Sequence, residues 1–144
     1  MLYEIRGDIL KAPTYYIAHQ CNCTSRYGLG LYKSITNKWP STNIYGTMAR
    51  NPGEVIVTEH VIHMMGQRHK GRPNDRDDQT WMRHRWFKEC LDKIANIKDV
   101  KGVSFPHEIG CGMARGNWKV YYNMIKEFSE ENPNIQVYIL NHKI

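Results

Sequence analysis

The stretch "FPHEIGCGMARGNW", residues 105–118, holds three glycines between an apolar run and a tryptophan. The residues before it, "KGVSF", are typical of a strand, and "WKVYYNMIKEF" has the apolar spacing of an amphipathic helix. Gly110 and Gly112 carry no side chain, so their backbone can approach a ligand and aim consecutive N–H groups at one point. Such an amide cradle ahead of a helix is typical of an anion site, and the alternative is a plain flexible connection.

Composition places the chain among globular proteins. Its 144 residues are 41% hydrophobic and 24% charged, which is enough for a sizeable core, and we expect a single domain over residues 1–144. No run approaches the roughly 18 apolar residues of a membrane span, and the N-terminus lacks the pattern of a signal peptide. We therefore expect a soluble, cytoplasmic monomer with no membrane partner. The net charge of +6 suits an anionic ligand, with nucleic acid a less favoured alternative.

The four cysteines predict reduced thiols. Cys21 and Cys23 are one residue apart, whereas Cys90 and Cys111 are distant in sequence, and an intracellular chain of this size does not need a disulfide framework. His19 together with Cys21 and Cys23 has some likeness to a metal site. Zinc sites generally use wider spacings and a second ligand pair, so we predict neither a metal nor a cofactor.

Strands and helices alternate along the chain. Strands are predicted at 2–6, 15–18, twice within 53–65, at 102–105 and at 135–140, and helices at 29–38, after 80 and after Asn117, which can cap the third helix. The predicted apolar stripes are Trp81, Phe87, Leu91 and Ile94 beside Cys90, and Val120, Met124 and Phe128 beside Tyr121 and Ile125. This order predicts an α/β fold with helices on both faces of a mixed, largely parallel sheet.

Three segments should follow strands at the ligand-binding edge of such a sheet. They are "GDIL" (7–10), "HQCNCTSRYGLGL" (19–31) and the opening stretch. Gly28-Leu29-Gly30 supplies a second amide cradle before a helix, and two facing cradles suit two linked phosphates better than one. The dinucleotide fingerprint G-x-G-x-x-G is absent.

Two polar residues in these segments each have two interpretations. Asn22 either caps backbone groups at a strand end or hydrogen-bonds a sugar hydroxyl, since its amide both donates and accepts. Asp8 is either a turn residue or a carboxylate that accepts from the exocyclic amine of a base. In the polar loop (67–80), the acids Asp75, Asp77 and Asp78 and the basic cluster Arg68, His69, Lys70 and Arg72 are expected to be solvated.

Taken together, these motifs resemble a macro domain, the ADP-ribose-binding fold. The likeness runs almost end to end through "GDIL", "IAHQCNC", "YGLGL" and "FPHEIGCGMARGNW", and is greatest to the branch containing ADP-ribose-1″-phosphate phosphatase of yeast and its phage and viral relatives. The resemblance implies a three-layer α/β/α sandwich and a ligand that is ADP-ribose or ADP-ribose-1″-phosphate. ADP-ribosylated proteins would be further partners.

The resemblance also implies where the ligand lies. Asp8, with the backbone of Ile9, would contact adenine, Asn22 the distal ribose, and the two glycine loops the diphosphate. The residues predicted to contact the ligand are Asp8, Ile9, Gln20, Cys21, Asn22, Tyr27, Gly28, Leu29, Gly30, Leu31, Ile109, Gly110, Cys111, Gly112, Met113 and Ala114.

The chain departs from related hydrolases at two acidic positions. Ala114 and Asn117 stand where relatives carry aspartate, so neither can act as a base. If the protein is an enzyme, it hydrolyses at the distal ribose, removing a 1″-phosphate or a protein-linked ADP-ribosyl group. His19 is the predicted general base, the alternatives being a structural histidine and activation of water by the ligand's own phosphate. A non-catalytic ADP-ribose reader is the competing function.

Overall fold

The computed structural model describes residues 1–142, which form one six-stranded sheet with three α-helices. The strands are β1 (Leu2–Arg6), β2 (Tyr16–Asn22), β3 (Val55–Thr58), β4 (Val61–Gln67), β5 (Gly102–Pro106) and β6 (Gln136–Asn141). The helices are α1 (Gly30–Lys38), α2 (Thr80–Ala95) and α3 (Trp118–Glu131), with short 3-10 turns at Ile9–Lys11 and Pro40–Thr42. The strand order is β1-β6-β5-β2-β4-β3, and only the β3–β4 pair is antiparallel.

Apolar side chains fill both faces of this sheet. On one face α2 and α3 bury residues such as Phe87 and Ile125 against Ile62, Phe105 and Val137. On the other face Ile35 of α1 packs against Ile17, Val61 and Leu140. The three-layer, largely parallel fold predicted from the sequence is therefore confirmed.

The central strand β2 is longer than its apolar run predicts. The prediction ended it at residue 18, but the strand runs to Asn22 because β4 pairs with it as far as Asn22. The segment from His19 to Asn22 thus lies in the sheet and not in the loop that follows. Tyr15, predicted as strand, lies outside it and is exposed.

Two helical stripes are also corrected. Trp81 is 55% exposed, whereas Arg83 and Trp86 are buried in α2 instead. In α3, Tyr121, Ile125 and Phe128 are buried as predicted and Ser129 is buried with them, whereas Val120 and Met124 are only half-buried. The predicted cap is confirmed, since the Asn117 side chain accepts a hydrogen bond from the Lys119 amide at 3.0 Å.

The parallel strands set the position of the loops. Because β1, β2, β4, β5 and β6 run in one direction, their carboxyl ends meet at one edge of the sheet. The segments that leave this edge include the Gly28 loop (residues 23–29), the Gly110 loop (residues 107–117) and the polar loop, observed at residues 68–79. Within residues 1–142, no helix is long and apolar enough to cross a membrane.

Candidate functional site

A cleft of about 1100 Å³ opens at the carboxyl edge of the sheet. Its walls come from the 3-10 turn after β1, the end of β2, the Gly28 loop and the Gly110 loop. Small-molecule sites commonly enclose about 300–1,000 Å³. The cleft is therefore large enough for a ligand of dinucleotide size.

The Gly28 loop is shaped by Asn22 and by the absence of a side chain at Gly28. Asn22 is 8% exposed, and its Oδ1 accepts hydrogen bonds from the amides of Thr24 (3.1 Å) and Ser25 (2.8 Å). A Cβ at Gly28 would overlap the ring of Tyr32, so this position requires glycine. The residue before α1, Leu29, provides no side-chain cap, and the first amides of α1 therefore remain available at the cleft.

The Gly110 loop turns back on itself and leaves a run of amides unused. Gly110 has φ +73°, and its carbonyl accepts from the Gly116 amide at 2.9 Å, which closes the loop. Within residues 1–142, the amides of Gly112, Met113 and Ala114 donate no hydrogen bond to the chain. Backbone N–H groups need a partner, so this row of donors is suited to an anion.

Gln20 supports the cleft floor beneath the Gly110 loop. Its Nε2 donates to Gln67 Oε1 at 2.7 Å, and Gln67 Nε2 donates to the His69 carbonyl at 2.8 Å. A Cβ at Gly66 or Gly110 would meet the Gln20 amide at 2.5 or 3.0 Å. The two glycines thus make room for this side chain, and the amide chain links β2 and β4 to the polar loop.

A buried ion pair fixes the polar loop against the cleft. Arg83 Nε and Nη2 donate to the two carboxylate oxygens of Asp78 at 2.9 and 2.7 Å, and both side chains are almost fully buried. Arg83 also donates to the carbonyls of Gly71 and Ala114, at 2.9 and 3.3 Å. The pair therefore ties α2 to both the polar loop and the Gly110 loop.

The expectation of a solvated Asp78 is wrong. Burial acts to raise the pKa of Asp78, but hydrogen bonds from Arg83 and from the amides of Arg68 and His69 outweigh it and hold the pKa below its ordinary value. The Asp78 carboxylate accepts hydrogen bonds from Arg83 where a solvated carboxylate would accept them from water. The sequence analysis did not single out Arg83. Asp75 and Asp77 are exposed, as expected.

Three potential ligand groups for a metal lie under the cleft floor. His19 Nε2 is 2.8 Å from His63 Nδ1, and Cys21 Sγ is 3.5 Å from His19 Nε2. Burial, and then the neighbouring His63, lower the pKa of His19 well below its usual range, and burial lowers the pKa of His63 to about 4. Burial raises the pKa of the Cys21 thiol, although Tyr45 and Arg50 act in the opposite direction. At neutral pH these groups are therefore two uncharged imidazoles and a thiol.

Asp8 lies on the part of the cleft wall that the 3-10 turn after β1 contributes. Its Oδ1 accepts from the Leu10 amide at 2.9 Å and so caps the 3-10 turn Ile9–Lys11. Within residues 1–142, the second carboxylate oxygen of Asp8 has no hydrogen-bond partner in the chain. Asp8 is thus both a turn residue and an available acceptor on the cleft wall.

The cleft brings together His19 and every predicted ligand residue except Cys111. The Cys111 amide donates to the Glu108 carbonyl at 2.9 Å, and its side chain packs on the apolar core. Cleft residues that the sequence analysis did not single out include Tyr32, Tyr45, Gln67, His107 and Glu108. The available signal for Gln67 was a polar residue at the end of a largely apolar strand. The signal for Glu108 was that it is the one acidic residue in residues 105–118.

Searches by sequence against protein-family models and curated proteins return no match. Solved structures of macrodomains are nevertheless similar. The macrodomain of Mycobacterium tuberculosis DarG superimposes with a TM-score of 0.80 at 18% identity over 97% of each chain. That of Thermus aquaticus DarG gives 0.78 at 18% identity, also over 97% of each chain. The Oceanobacillus iheyensis macrodomain solved with ADP gives 0.69 at 20% identity, over 97% of this chain and 82% of that one. Likeness at this identity establishes the fold, which is that of a macrodomain.

Proposed function

We propose that this chain binds ADP-ribose in the cleft. The observation that carries the proposal is the row of unpartnered amides at Gly112, Met113 and Ala114, which line the same cleft as the uncapped start of α1. Two sets of backbone donors that face one cavity match the oxygens of a diphosphate. Support also comes from the Oceanobacillus iheyensis macrodomain, which shares the fold and was solved with ADP.

The two ends of the ligand have different partners in this proposal. The adenine amine donates to the carboxylate oxygen of Asp8 that the Leu10 amide leaves free. The distal ribose accepts from Asn22 Nδ2, because Asn22 Oδ1 is already used by Thr24 and Ser25. Asn22 therefore acts on the ligand as a donor, and not as both donor and acceptor.

Calorimetric titration tests this binding directly. We expect one ADP-ribose per chain, weaker binding of ADP, and weaker binding still of ribose-5-phosphate, because each truncation removes one set of contacts. Asn22→Asp keeps the oxygen that holds the Gly28 loop but replaces the donor with a negative charge, so it should lose affinity for ADP-ribose more than for ADP. The absence of heat with ADP-ribose in the folded wild-type protein would refute the proposal.

The finer proposal is hydrolysis at the distal ribose, as in the ADP-ribose-1″-phosphate phosphatase branch. Backbone amides of the Gly110 loop would stabilise charge that develops on oxygen. His19 stays the predicted general base: its imidazole is uncharged and lies on the cleft floor, but its Nε2 is hydrogen-bonded to His63. Glu108 is a second candidate base, since its carboxylate lines the cleft beside His107.

The release of phosphate or ADP-ribose from the two substrates distinguishes these candidate bases. The protein is incubated with ADP-ribose-1″-phosphate and, separately, with an ADP-ribosylated protein, and released phosphate or ADP-ribose is measured. Loss of release in His19→Ala with wild-type ADP-ribose affinity supports His19, and the same result in Glu108→Gln supports Glu108.

A non-catalytic ADP-ribose reader is the second candidate function. Two observations favour it: His19 is only 2% exposed, and the Asn117 amide is occupied as the cap of α3. A reader binds ADP-ribose with the same affinity in wild type and Glu108→Gln, and releases nothing from either substrate. The cytoplasmic location, the monomeric state and the single-domain organisation remain predictions.

A further inference from the structure

His19, Cys21 and His63 converge in the layer between the sheet and α1. His19 and His63 are paired positions on the neighbouring parallel strands β2 and β4, and Cys21 follows His19 by two residues, so all three project from the same face. Their ring nitrogens and sulfur lie within 4.8 Å of one another. The three side chains are between 0% and 2% exposed.

The separations are close to those of a tetrahedral zinc site. With Zn–N near 2.0 Å and Zn–S near 2.3 Å, tetrahedral angles place two nitrogens about 3.3 Å apart and nitrogen about 3.5 Å from sulfur. Here Cys21 Sγ is 3.5 Å from His19 Nε2 and 3.8 Å from His63 Nδ1, and the two nitrogens are 2.8 Å apart. A metal ion that takes the place of the proton between the nitrogens, and that displaces the Cys21 thiol proton to solvent, needs the nitrogens to separate by only about 0.5 Å.

An outer hydrogen bond orients His63 for such a role. Thr58 Oγ1 is 2.7 Å from His63 Nε2, which leaves Nδ1 as the nitrogen that faces His19 and Cys21. Metal-bound histidines almost always carry a partner of this kind on their second nitrogen. The stacked rings of Tyr32 and Tyr45, with centroids 3.8 Å apart, lie beside the cluster and limit the access of water.

We propose that His19 Nε2, His63 Nδ1 and Cys21 Sγ form a binding site for Zn²⁺. Two imidazoles and a thiol favour zinc over the oxygen-seeking Mg²⁺ and Ca²⁺. His19, Cys21 and Tyr45 line the cleft, so an oxygen from that side can complete four-coordination. The site stands independently of ADP-ribose binding. Zinc on His19 Nε2 would, however, prevent that nitrogen from accepting a proton as a general base.

The sequence did not predict this site because one of its three ligands, His63, is far from the other two in sequence. His19, Cys21 and Cys23 are spaced more narrowly than zinc ligands usually are and lack a second ligand pair in the sequence, and the prediction was therefore that no metal binds. His63 is 44 residues from His19 in sequence and becomes its neighbour only through the pairing of β2 with β4. A histidine in the middle of the apolar run "VIHMM" was the available signal.

Cobalt substitution tests the proposal. Untagged protein is stripped with a chelator, reduced, and titrated with Co²⁺, and the metal is then displaced with Zn²⁺. We expect one equivalent of Co²⁺ to produce a thiolate-to-cobalt charge-transfer band and the intense visible bands of a tetrahedral site. Cys21→Ser should lose the charge-transfer band, whereas Cys90→Ser, which changes a buried thiol outside the cluster, should keep it.

A second variant and a second measurement guard against misfolding. Thr58→Val retains all three ligands and removes only the outer partner of His63, so it should weaken zinc binding by about 10- to 100-fold. X-ray absorption of the zinc-loaded wild type should show one sulfur and at least two nitrogens around the metal. Folded wild-type protein that gives no tetrahedral cobalt spectrum, or a zinc shell without sulfur, would overturn the proposal.

Discussion

Asn22 illustrates how one side chain can cap a loop and still present a donor at a cleft. The sequence left two roles open, a backbone cap and a contact with a sugar. Its Oδ1 caps the amides of Thr24 and Ser25, which is the first role, and uses the acceptor half of the amide. Only the donor half remains for a ligand. A single amide can thus satisfy both interpretations, because its two ends are chemically different.

Gly112 offers the cleanest single-residue test of where the ligand lies. A Cβ at this position meets nothing within 4 Å, and its φ lies outside the left-handed region, so Gly112→Val should fold as the wild type does. In the cleft, however, the new methyl groups would occupy the space proposed for the diphosphate. We expect ADP-ribose affinity to fall about 10- to 100-fold, which corresponds to the 1–3 kcal/mol that added methyl groups cost in a filled site.

The control for Gly112→Val is the thermal midpoint of the unliganded protein. It should stay within the error of the wild-type value, since Gly112 is exposed and a Cβ there meets no heavy atom within 4 Å. Unchanged calorimetric affinity in a variant with that midpoint would mean that the ligand does not approach the Gly110 loop.

At the scale of elements, the pair Arg83–Asp78 is the junction between α2, the polar loop and the Gly110 loop. The guanidinium meets the carboxylate through two hydrogen bonds, and Arg83 also donates to the carbonyls of His69, Gly71 and Ala114. Planar, two-pronged contacts of this kind are specific to arginine. The part of the cleft wall formed by the Gly110 loop therefore depends on a residue that never touches the ligand in our proposal.

Arg83→Met should destabilise the fold strongly. It leaves the Asp78 carboxylate buried without its cation, and breaking a buried pair in this way costs about 3–5 kcal/mol. Urea unfolding at neutral pH measures the loss. The double variant Arg83→Met with Asp78→Asn should recover part of it, because the unpaired charge is gone. If Arg83→Met lowered the free energy of unfolding by less than about 1 kcal/mol, and not by the expected value of about 3–5 kcal/mol, the proposed role of the pair would be wrong.

The same pair predicts an acid-dependent stability. Because the folded pKa of Asp78 is lowered, its contribution is complete above the unfolded pKa of about 3.9 and is lost as the pH falls through the folded value. The difference in unfolding free energy between wild type and the double variant should therefore shrink below about pH 4. A difference that is constant through that range would show that Asp78 does not titrate with a lowered pKa.

The cap of α3 gives a smaller, separate effect. Asn117→Ala removes the side-chain oxygen that accepts from the Lys119 amide and should cost about 1 kcal/mol of stability. Asn117→Asp keeps the oxygen and adds a negative charge at the helix start, so it should be at least as stable as wild type. An Asn117→Ala variant as stable as wild type, measured by urea unfolding, would mean that the cap contributes nothing.

Most elements could be predicted because their signals are local. The strand at 2–6, the helix at 29–38 and the cap at Asn117 each depend on neighbouring residues. The end of β2 could not be predicted, since the segment from His19 to Asn22 is held as strand by pairing with β4. The buried Arg83 was missed for the same reason: a charged residue is expected to be exposed unless its partner, here Asp78, is known to be close.

The residues of the candidate site can likewise be divided into those that local sequence predicts and those that it does not. Glycine loops and the residues between them are recognisable in the sequence, and the cleft brings them together with the exception of Cys111. Groups that meet only across the sheet were not recognisable, among them Gln67 beneath Gln20 and His63 beside His19. Sequence spacing describes one strand at a time, whereas these contacts depend on strand register.

For the whole molecule, the sheet topology explains why the loops form a single cleft. Five parallel strands end at one edge, so segments distant in sequence meet there, from Asp8 through the Gly110 loop to Leu140. The net charge of +6 favours any anion, and does not by itself distinguish a dinucleotide from a nucleic acid. Salt dependence does distinguish them, since a nucleic acid that contacts many phosphates releases many counterions.

Ligand-induced stabilisation tests the fold and the site together. At a concentration 100 times its dissociation constant, ADP-ribose adds about 2.7 kcal/mol, which raises the melting temperature of a domain of this size by roughly 8 °C. Gly112→Val, with an unchanged midpoint in the absence of ligand, should show only about a half to a seventh of this rise at the same concentration, as a loss of affinity of roughly 10- to 100-fold requires. ADP should give a smaller rise than ADP-ribose, because it lacks the distal ribose that Asn22 contacts in our proposal. Equal rises in Gly112→Val and wild type would show that the stabilising site lies outside the cleft between the two glycine loops.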